Sequence, residues 1–231
     1  MLIIEVKRYT CNDCSRKKSL QEIIVSNSIP NCGLQGDDPY IIGPNFRQML
    51  SIESTEELKP IHFLPHFIDD LSIFPIYSMV FYWPSRLFAI SEFIIEIEKM
   101  NIEYNIFDRK GRTIADIKEV EEICILFKIE KSNEFELLFN DYLSLVAADN
   151  HFVGFWIGGM PCFSWYPIKF DPYDEPYKVL IDFPHFFATI GWDASRVLIM
   201  DKNASLNYET LKKQLKSLTI KQFDEVGYDC C

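Results

Sequence analysis

Two cysteines near the start of the chain have the spacing of a zinc half-site or a redox pair. Cys11-Asn-Asp-Cys14 places two thiols three positions apart in a polar, basic stretch. This spacing supplies two of the four ligands of a zinc site, or a dithiol where it opens a helix. No second Cys-x-x-Cys occurs among the seven cysteines, so the missing ligands are not evident. We therefore expect incidental cysteines here, with a zinc site and a redox pair as alternatives.

Two histidines stand four residues apart, as zinc ligands on one helical face do. Pro65 lies between His62 and His66, and the glutamate of the His-Glu-x-x-His motif is missing. A proline inside this spacing disturbs the helical geometry that would bring both rings together. We expect packed or surface histidines, although either one could complete a zinc site with the Cys11 and Cys14 thiols.

The motifs of nucleotide and acyl-transfer chemistry are missing. The sequence contains no GxxxxGK[ST], no GxGxxG and no GxSxG. Cys162 is a conceivable nucleophile, but a buried structural cysteine is the simpler interpretation. The carboxylates of Asp69-Asp70 and of the segment 171–175 do not have EF-hand spacing. We expect a protein that is not an enzyme, with no catalytic residue, metal or cofactor. The alternative is an enzyme of unrecognised class that uses Cys162 or a carboxylate near Asp171.

Charge limits the classes of partner. The 231 residues carry a formal charge of −11, and residues 51–150 contain nineteen acidic and nine basic side chains. Such a surface repels nucleic acid and anionic membranes, whereas it attracts and steers a basic protein. The initial residues MLIIEVKRY are too short for a signal-peptide core, and no apolar run reaches a membrane-spanning length. The expectation is a cytoplasmic protein that binds neither nucleic acid nor membrane.

Hydrophobic periodicity predicts an α+β fold with a mostly antiparallel sheet and three or four amphipathic helices. We expect one domain over residues 1–231, with a weak subdivision near 149–150. Asn133 and Asn207 are predicted N-caps of the helices over 133–148 and 206–218. The predicted strands are 2–9, two segments within 61–82, 102–107, 124–130, 151–157, 162–170, 177–183 and 196–200. The predicted helices are 44–52, 85–100, 133–148, 184–192 and 206–218.

Aromatic and acidic residues together predict a partner-binding surface. The stretch 151–192 holds three of the four tryptophans, and an acidic segment lies at 116–122. Most of these rings must pack in the core, but exposed tryptophan and tyrosine are enriched at interface hot spots, and acids around them select a basic partner. The predicted partner-binding residues are Asp116, Glu119, Glu121, Glu122, Trp156, Trp165, Tyr166, Asp171, Tyr173, Asp174 and Glu175.

In general character the chain resembles the immunity proteins of bacterial polymorphic toxins. The resemblance lies in the acidic segment 116–136, the aromatic strands at 152–156 and 163–166, and the missing catalytic motifs. No specific motif carries it, so no residue role is transferred. It implies an acidic cytoplasmic inhibitor that neutralises a cognate toxin by covering the toxin's active site.

Overall fold

The computed structural model describes the chain in segments that together form one large sheet, one small sheet and several helices. The described residues are 2–11, 40–42, 48–55, 61–71, 73–82, 87–108, 111–115, 123–144, 147, 153–160, 162–167, 177–182, 185–190 and 195–228. Among these residues, no helix is both long enough and apolar enough to cross a bilayer.

Nine strands form the large sheet, in the order β12-β1-β3-β11-β10-β7-β4-β6-β5. β1 and β12 are parallel, and every other neighbouring pair is antiparallel. Strands from both sides of position 149 therefore share one sheet. Its strands are β1 (Leu2–Cys11), β3 (Gln48–Ser54), β4 (Ile76–Tyr82), β5 (Tyr104–Asp108), β6 (Ile123–Ile129), β7 (Val153–Ile157), β10 (Phe186–Ile190), β11 (Arg196–Asp201) and β12 (Leu218–Tyr228). The small sheet has the order β2-β9-β8 and contains β2 (Tyr40–Ile42), β8 (Cys162–Pro167) and β9 (Tyr177–Asp182).

The helices pack on one face of the large sheet, which we call the first face. Phe93 meets Phe127 of β6 edge-on with ring centroids 5.4 Å apart, and Phe135 meets Phe155 of β7 at the same distance. The described helices are α1 (Leu64–Leu71), α2 (Leu87–Lys99), α3 (Ser132–Leu138), which continues as a π-helical turn (Phe139–Leu143), and α4 (Tyr208–Gln214).

Branched aliphatic residues line the first face in register across eight strands. β-branched side chains pack well on a pleated surface, and cross-strand partners lie on the same face. All members of this row are buried, so it forms the floor on which the helices lie. They are Val6, Ile52, Val197, Ile190, Val153, Val80, Ile125 and Ile106.

The opposite face, which we call the second face, is buried over the middle of the sheet and exposed toward both edges: on β1, where Ile3 and Lys7 are exposed, and toward β6 and β5. One register row crosses it from β3 to β6 and consists of Met49, Met200, Phe187, Trp156, Tyr77 and Lys128. The first four side chains are fully buried, whereas Tyr77 and Lys128 are partly exposed. The cover over the second face therefore ends at β4.

A buried polar network lies on the first face, across β1, β3 and β11. Arg8 Nε donates to Gln48 Oε1 (2.7 Å), and Gln48 Nε2 donates to Asp201 Oδ2 (2.7 Å) and to the Leu206 carbonyl (2.8 Å). Asp201 is fully buried and also accepts hydrogen bonds from the backbone N–H groups of Asn203, Ser205 and Leu206. A buried carboxylate with this many donors fixes the turn between β11 and α4.

The long amphipathic helices and most strands are confirmed. The helix predicted over 85–100 is α2, and the helix predicted over 206–218 contains α4. Asn207 is its N-cap, since its side chain accepts a hydrogen bond from Thr210 N at 3.0 Å. The mostly antiparallel α+β fold is likewise as predicted.

Four secondary-structure predictions are wrong. Residues 48–54 and 186–190 are strands rather than parts of helices, because central strands buried on both faces show no alternating pattern. Residues 64–71 form a helix instead of a strand. Pro65 lies in its first turn, where a missing N–H costs no helical hydrogen bond. Asn133 is not a cap, since the helix begins at Ser132 with Lys131 as N-cap. The last strand, β12, was not predicted.

Candidate functional site

A turn at the end of α2 brings an acidic side chain to the open end of the sheet. Ile102 N donates to the Ile97 carbonyl (3.0 Å), and Asn101 N donates to the Glu98 carbonyl (2.9 Å). This pattern is a Schellman motif, whose left-handed position is occupied by Asn101 (φ 58°). Asparagine tolerates that conformation better than most residues. The turn ends the helix and places exposed Glu103 immediately before β5.

A cleft of about 260 Å³ lies between this turn and the start of α3. Lys128 Nζ contacts Glu130 Oε1 (2.6 Å), and Lys131 Nζ contacts Glu134 Oε1 (2.8 Å). The hydrogen bond and charge of Lys128 lower the pKa of Glu130, and the same contact raises the pKa of Lys128. We call this feature the acidic cleft. Its lining residues are Met100, Asn101, Ile102, Glu103, Lys128, Glu130, Lys131 and Glu134.

Carboxylates outnumber cations among the described residues of the elements that form this end of the sheet, α2, β5, β6, α3 and the π-helical turn. The described residues between 87 and 144 include nine acidic and four basic side chains. Each of these cations is paired with a carboxylate: Lys99 with Glu96, Arg112 with Asp108, Lys128 with Glu130 and Lys131 with Glu134. Within the same described residues, five carboxylates form no ion pair, and we call this set the unpaired acids. They are Glu92, Glu98, Glu103, Glu136 and Asp141.

Tyr142 of the π-helical turn lies beside carboxylates of two elements. Burial raises the pKa of its phenol, the charges of Glu96, Asp141 and Glu92 raise it further, and the charge of Lys99 opposes them. Those carboxylates come from α2 and from the π-helical turn, which meet where the Tyr142 ring packs 5.7 Å from Phe93. Negative potentials of the two elements therefore add at one surface, which would attract a cation.

A second depression of about 300 Å³ adjoins the acidic cleft and shares Glu103 and Lys128 with it. It lies where the cover over the second face ends, so it exposes apolar surface of β4 and β6. Met160 is 72 % exposed at its border. The residues that form the floor of this depression on the second face, together with those at its border, are called the open ledge. They are Tyr77, Asn105, Leu126, Lys128 and Met160.

The structure removes one residue from the predicted partner-binding surface. Trp156 is fully buried on β7, with its ring centroid 5.0 Å from that of Phe187. It is a core residue, because β7 is a central strand covered on both faces. Trp165 and Tyr166 belong to β8, but their side chains lie outside what the structure describes. The remaining predicted contact residues also lie outside the described segments: Asp116, Glu119, Glu121, Glu122, Asp171, Tyr173, Asp174 and Glu175.

The described thiol and imidazole groups do not come together as a metal site. Cys124 is buried, and burial raises its pKa well above the ordinary value, so the reactive thiolate is suppressed. His62 packs edge-on to Phe139, and His66 is exposed on α1. No group of three or more metal-ligating side chains occurs within the described segments. Cys14 and the side chains of Cys11 and Cys162 fall outside them.

Sequence reasoning missed the grouping of residues at the open end of the sheet. The acidic excess of residues 51–150 was evident, but the proximity of α2, β6 and α3 was not. Met160 gave no signal, since a single methionine after Gly158-Gly159 reads as part of a turn. Its exposure depends on where the cover over the second face ends, which is a tertiary property.

Comparison with known proteins gives no relative. No family model, no curated protein and no solved structure matches this chain. Its own residues must therefore carry any functional argument.

Proposed function

We propose that this chain is a non-catalytic, cytoplasmic protein that binds a basic protein partner through the acidic end of its large sheet. In its most specific form it is an inhibitor of the immunity-protein type, which neutralises a toxin domain by covering the toxin's active site. The observation that carries the proposal is the set of five unpaired acids beside four fully paired cations. Such a surface accelerates encounter with a basic protein and disfavours acidic competitors.

The other two hypotheses receive no support from a described contact. A thiol enzyme would depend on Cys162, and a zinc protein on Cys11 and Cys14, and none of these side chains is among those described. The histidines that were to complete a zinc site do not group with other ligands in the described segments.

A matched pair of charge reversals tests the proposal. Glu103→Lys changes an unpaired acid at the acidic cleft, whereas Glu209→Lys makes the same change on the exposed side of α4. Tagged wild type and both variants are used to capture partners from lysate of the source organism. Association rates and inhibition are then measured with the purified partner. Opposite charges steer association, so we expect Glu103→Lys to slow it by about threefold or more at low ionic strength, with less effect at high ionic strength.

The proposal is supported if a basic protein associates more slowly with Glu103→Lys only and loses its activity when one equivalent of the wild-type chain binds. If both variants associate at the wild-type rate, the acidic surface is not the interface. If the partner keeps its full activity in the complex, the inhibitor form is wrong and a non-inhibitory binding role replaces it.

A further inference from the structure

We infer that the open ledge is the docking place for an apolar side chain of the partner, which is flanked by arginine or lysine residues in the partner's chain. This inference rests on the proposed function and makes it more specific. It commits to a basic polypeptide segment with an apolar anchor, because the ledge offers apolar surface and its surroundings offer negative charge.

The apolar part of the argument comes from the change in burial along the second face. Met79 of β4 is fully buried, and its register partner Leu126 of β6 is partly exposed. The next partner, Asn105 of β5, is exposed. The same three strands are well covered on the first face, where Val80, Ile125 and Ile106 pack under the helices. One face of this end is therefore core, and the other is partly exposed around Leu126, Lys128 and Asn105, although Cys124 on the same face of β6 is buried.

Met160 adds an adaptable apolar contact to this surface. It is the most exposed of the large hydrophobic side chains described, at 72 %. Methionine is flexible and polarisable, so it adjusts to the shape of an incoming side chain. Together with Leu126 and the Tyr77 ring it forms an apolar group at the border of a depression of about 300 Å³, large enough for one apolar side chain.

The charge around the ledge selects the residues that flank this side chain. Glu103 borders both the ledge and the acidic cleft, and it belongs to the unpaired acids. Lys128, the one cation of the ledge, is already bonded to Glu130 at 2.6 Å. A partner arginine or lysine beside the apolar anchor would therefore meet a net negative border. An acidic segment would be repelled by the same border.

Two peptides of equal charge separate the apolar contribution from the electrostatic one. Labelled Arg-Leu-Arg-Leu-Arg and Arg-Ser-Arg-Ser-Arg are titrated into the full chain at low ionic strength, with binding followed by fluorescence anisotropy. We expect the leucine peptide to bind about fivefold more tightly, the size of a modest hot-spot contact. Met160→Ser should abolish this preference without weakening the serine peptide. Leu126→Ser serves as a second ledge variant.

Ile3→Ser is the matched control, because Ile3 is an exposed apolar residue (41 %) at the opposite end of the same sheet. This variant should keep the preference for the leucine peptide. A photoreactive leucine in that peptide should crosslink to Tyr77, Leu126 or Met160. Equal affinity for both peptides, or a preference that survives both ledge variants, overturns the ledge and leaves the proposed function intact. If neither peptide binds at low ionic strength, the attraction for basic partners fails as well, and both proposals are wrong.

Discussion

The middle of the large sheet and its β6–β5 edge differ in how they bury polar and apolar groups. On β3 and β11 the second face is buried, and on the first face Gln48 and Asp201 are linked with Arg8 in a hydrogen-bond network. Toward β6 and β5 the second face is partly exposed at Leu126, Lys128 and Asn105, and the neighbouring Glu103 is exposed. Buried polar atoms whose hydrogen bonds are all satisfied stabilise the fold. Exposed carboxylates that form no ion pair, next to exposed apolar surface, are available to bind a partner.

This contrast separates buried apolar and acidic residues from exposed ones, a difference that the sequence alone does not show. Trp156 and Asp201 belong to the buried middle of the sheet, where a change should be measured as lost stability. Met160 and Glu103 belong to the open end, where a change should be measured as altered binding. Substitutions at paired positions test whether the division is real.

Trp156→Ala should have the largest effect on stability. Its ring is fully buried against Phe187, so truncation removes a large apolar contact and leaves a cavity. We expect the free energy of unfolding to fall by about 3–5 kcal/mol. Denaturant unfolding followed by circular dichroism measures this change. Met160→Ala, on the same face at the open end, should lower the free energy of unfolding by no more than about 0.5 kcal/mol. Equal losses in the two variants would mean that the open end is packed as tightly as the middle of the sheet.

Asp201→Ala should have the next largest effect on stability, because several hydrogen-bond donors lose an acceptor at once. The N–H groups of Asn203, Ser205 and Leu206 would lose their side-chain acceptor, and Gln48 Nε2 would keep only the Leu206 carbonyl. Buried unsatisfied donors cost free energy, and we expect a loss of about 2–4 kcal/mol in chemical denaturation. Glu103→Ala is the matched change at the open end and should leave the unfolding midpoint unchanged. A wild-type midpoint for Asp201→Ala would show that the network contributes little.

Local sequence signals were enough to predict α2 and α4, although not α1. Ile90, Phe93 and Ile97 recur at helical spacing and are all buried in α2. Asn207 is a strong cap at the beginning of α4, and its hydrogen bond to Thr210 is made within the same turn. Each of these signals operates between residues a few positions apart, so a single sequence contains it in full.

The parts that were not predicted depend on distant residues. Gln48 bonds to Asp201, 153 positions away, and β12 pairs with β1 from the opposite end of the chain. The acidic character of the site was predictable from composition. The assignment of Trp156 to a partner surface was wrong because burial on β7 depends on the neighbours that cover both its faces. Met160 was missed because its exposure also depends on tertiary structure: the cover over the second face ends before it reaches Met160.

The smallest expected effect concerns a single ion pair at the open end. Lys128 lowers the pKa of Glu130 by a hydrogen bond and by its charge, with Lys131 adding to the charge effect. A carboxyl group whose folded pKa is lowered stabilises the fold above its usual pKa, and this contribution disappears as the pH falls through the folded value. Glu130 is exposed, so solvent screens the pair, and unfolding experiments should not resolve it. A side-chain carbon NMR titration should resolve it.

In that titration Glu130 of the wild type should show a pKa below that of an ordinary glutamate. Lys128→Met should move this pKa upward, and concentrated salt should do the same in the wild type, because the Debye length then shrinks to about 3 Å. Lys213→Met, which removes an exposed cation of α4, should leave it unchanged. A Glu130 pKa that is the same with and without Lys128 would mean that the pair is not formed in solution. Lys128 would then be a free cation on the ledge, and the border there would be less negative than the docking of a basic segment requires.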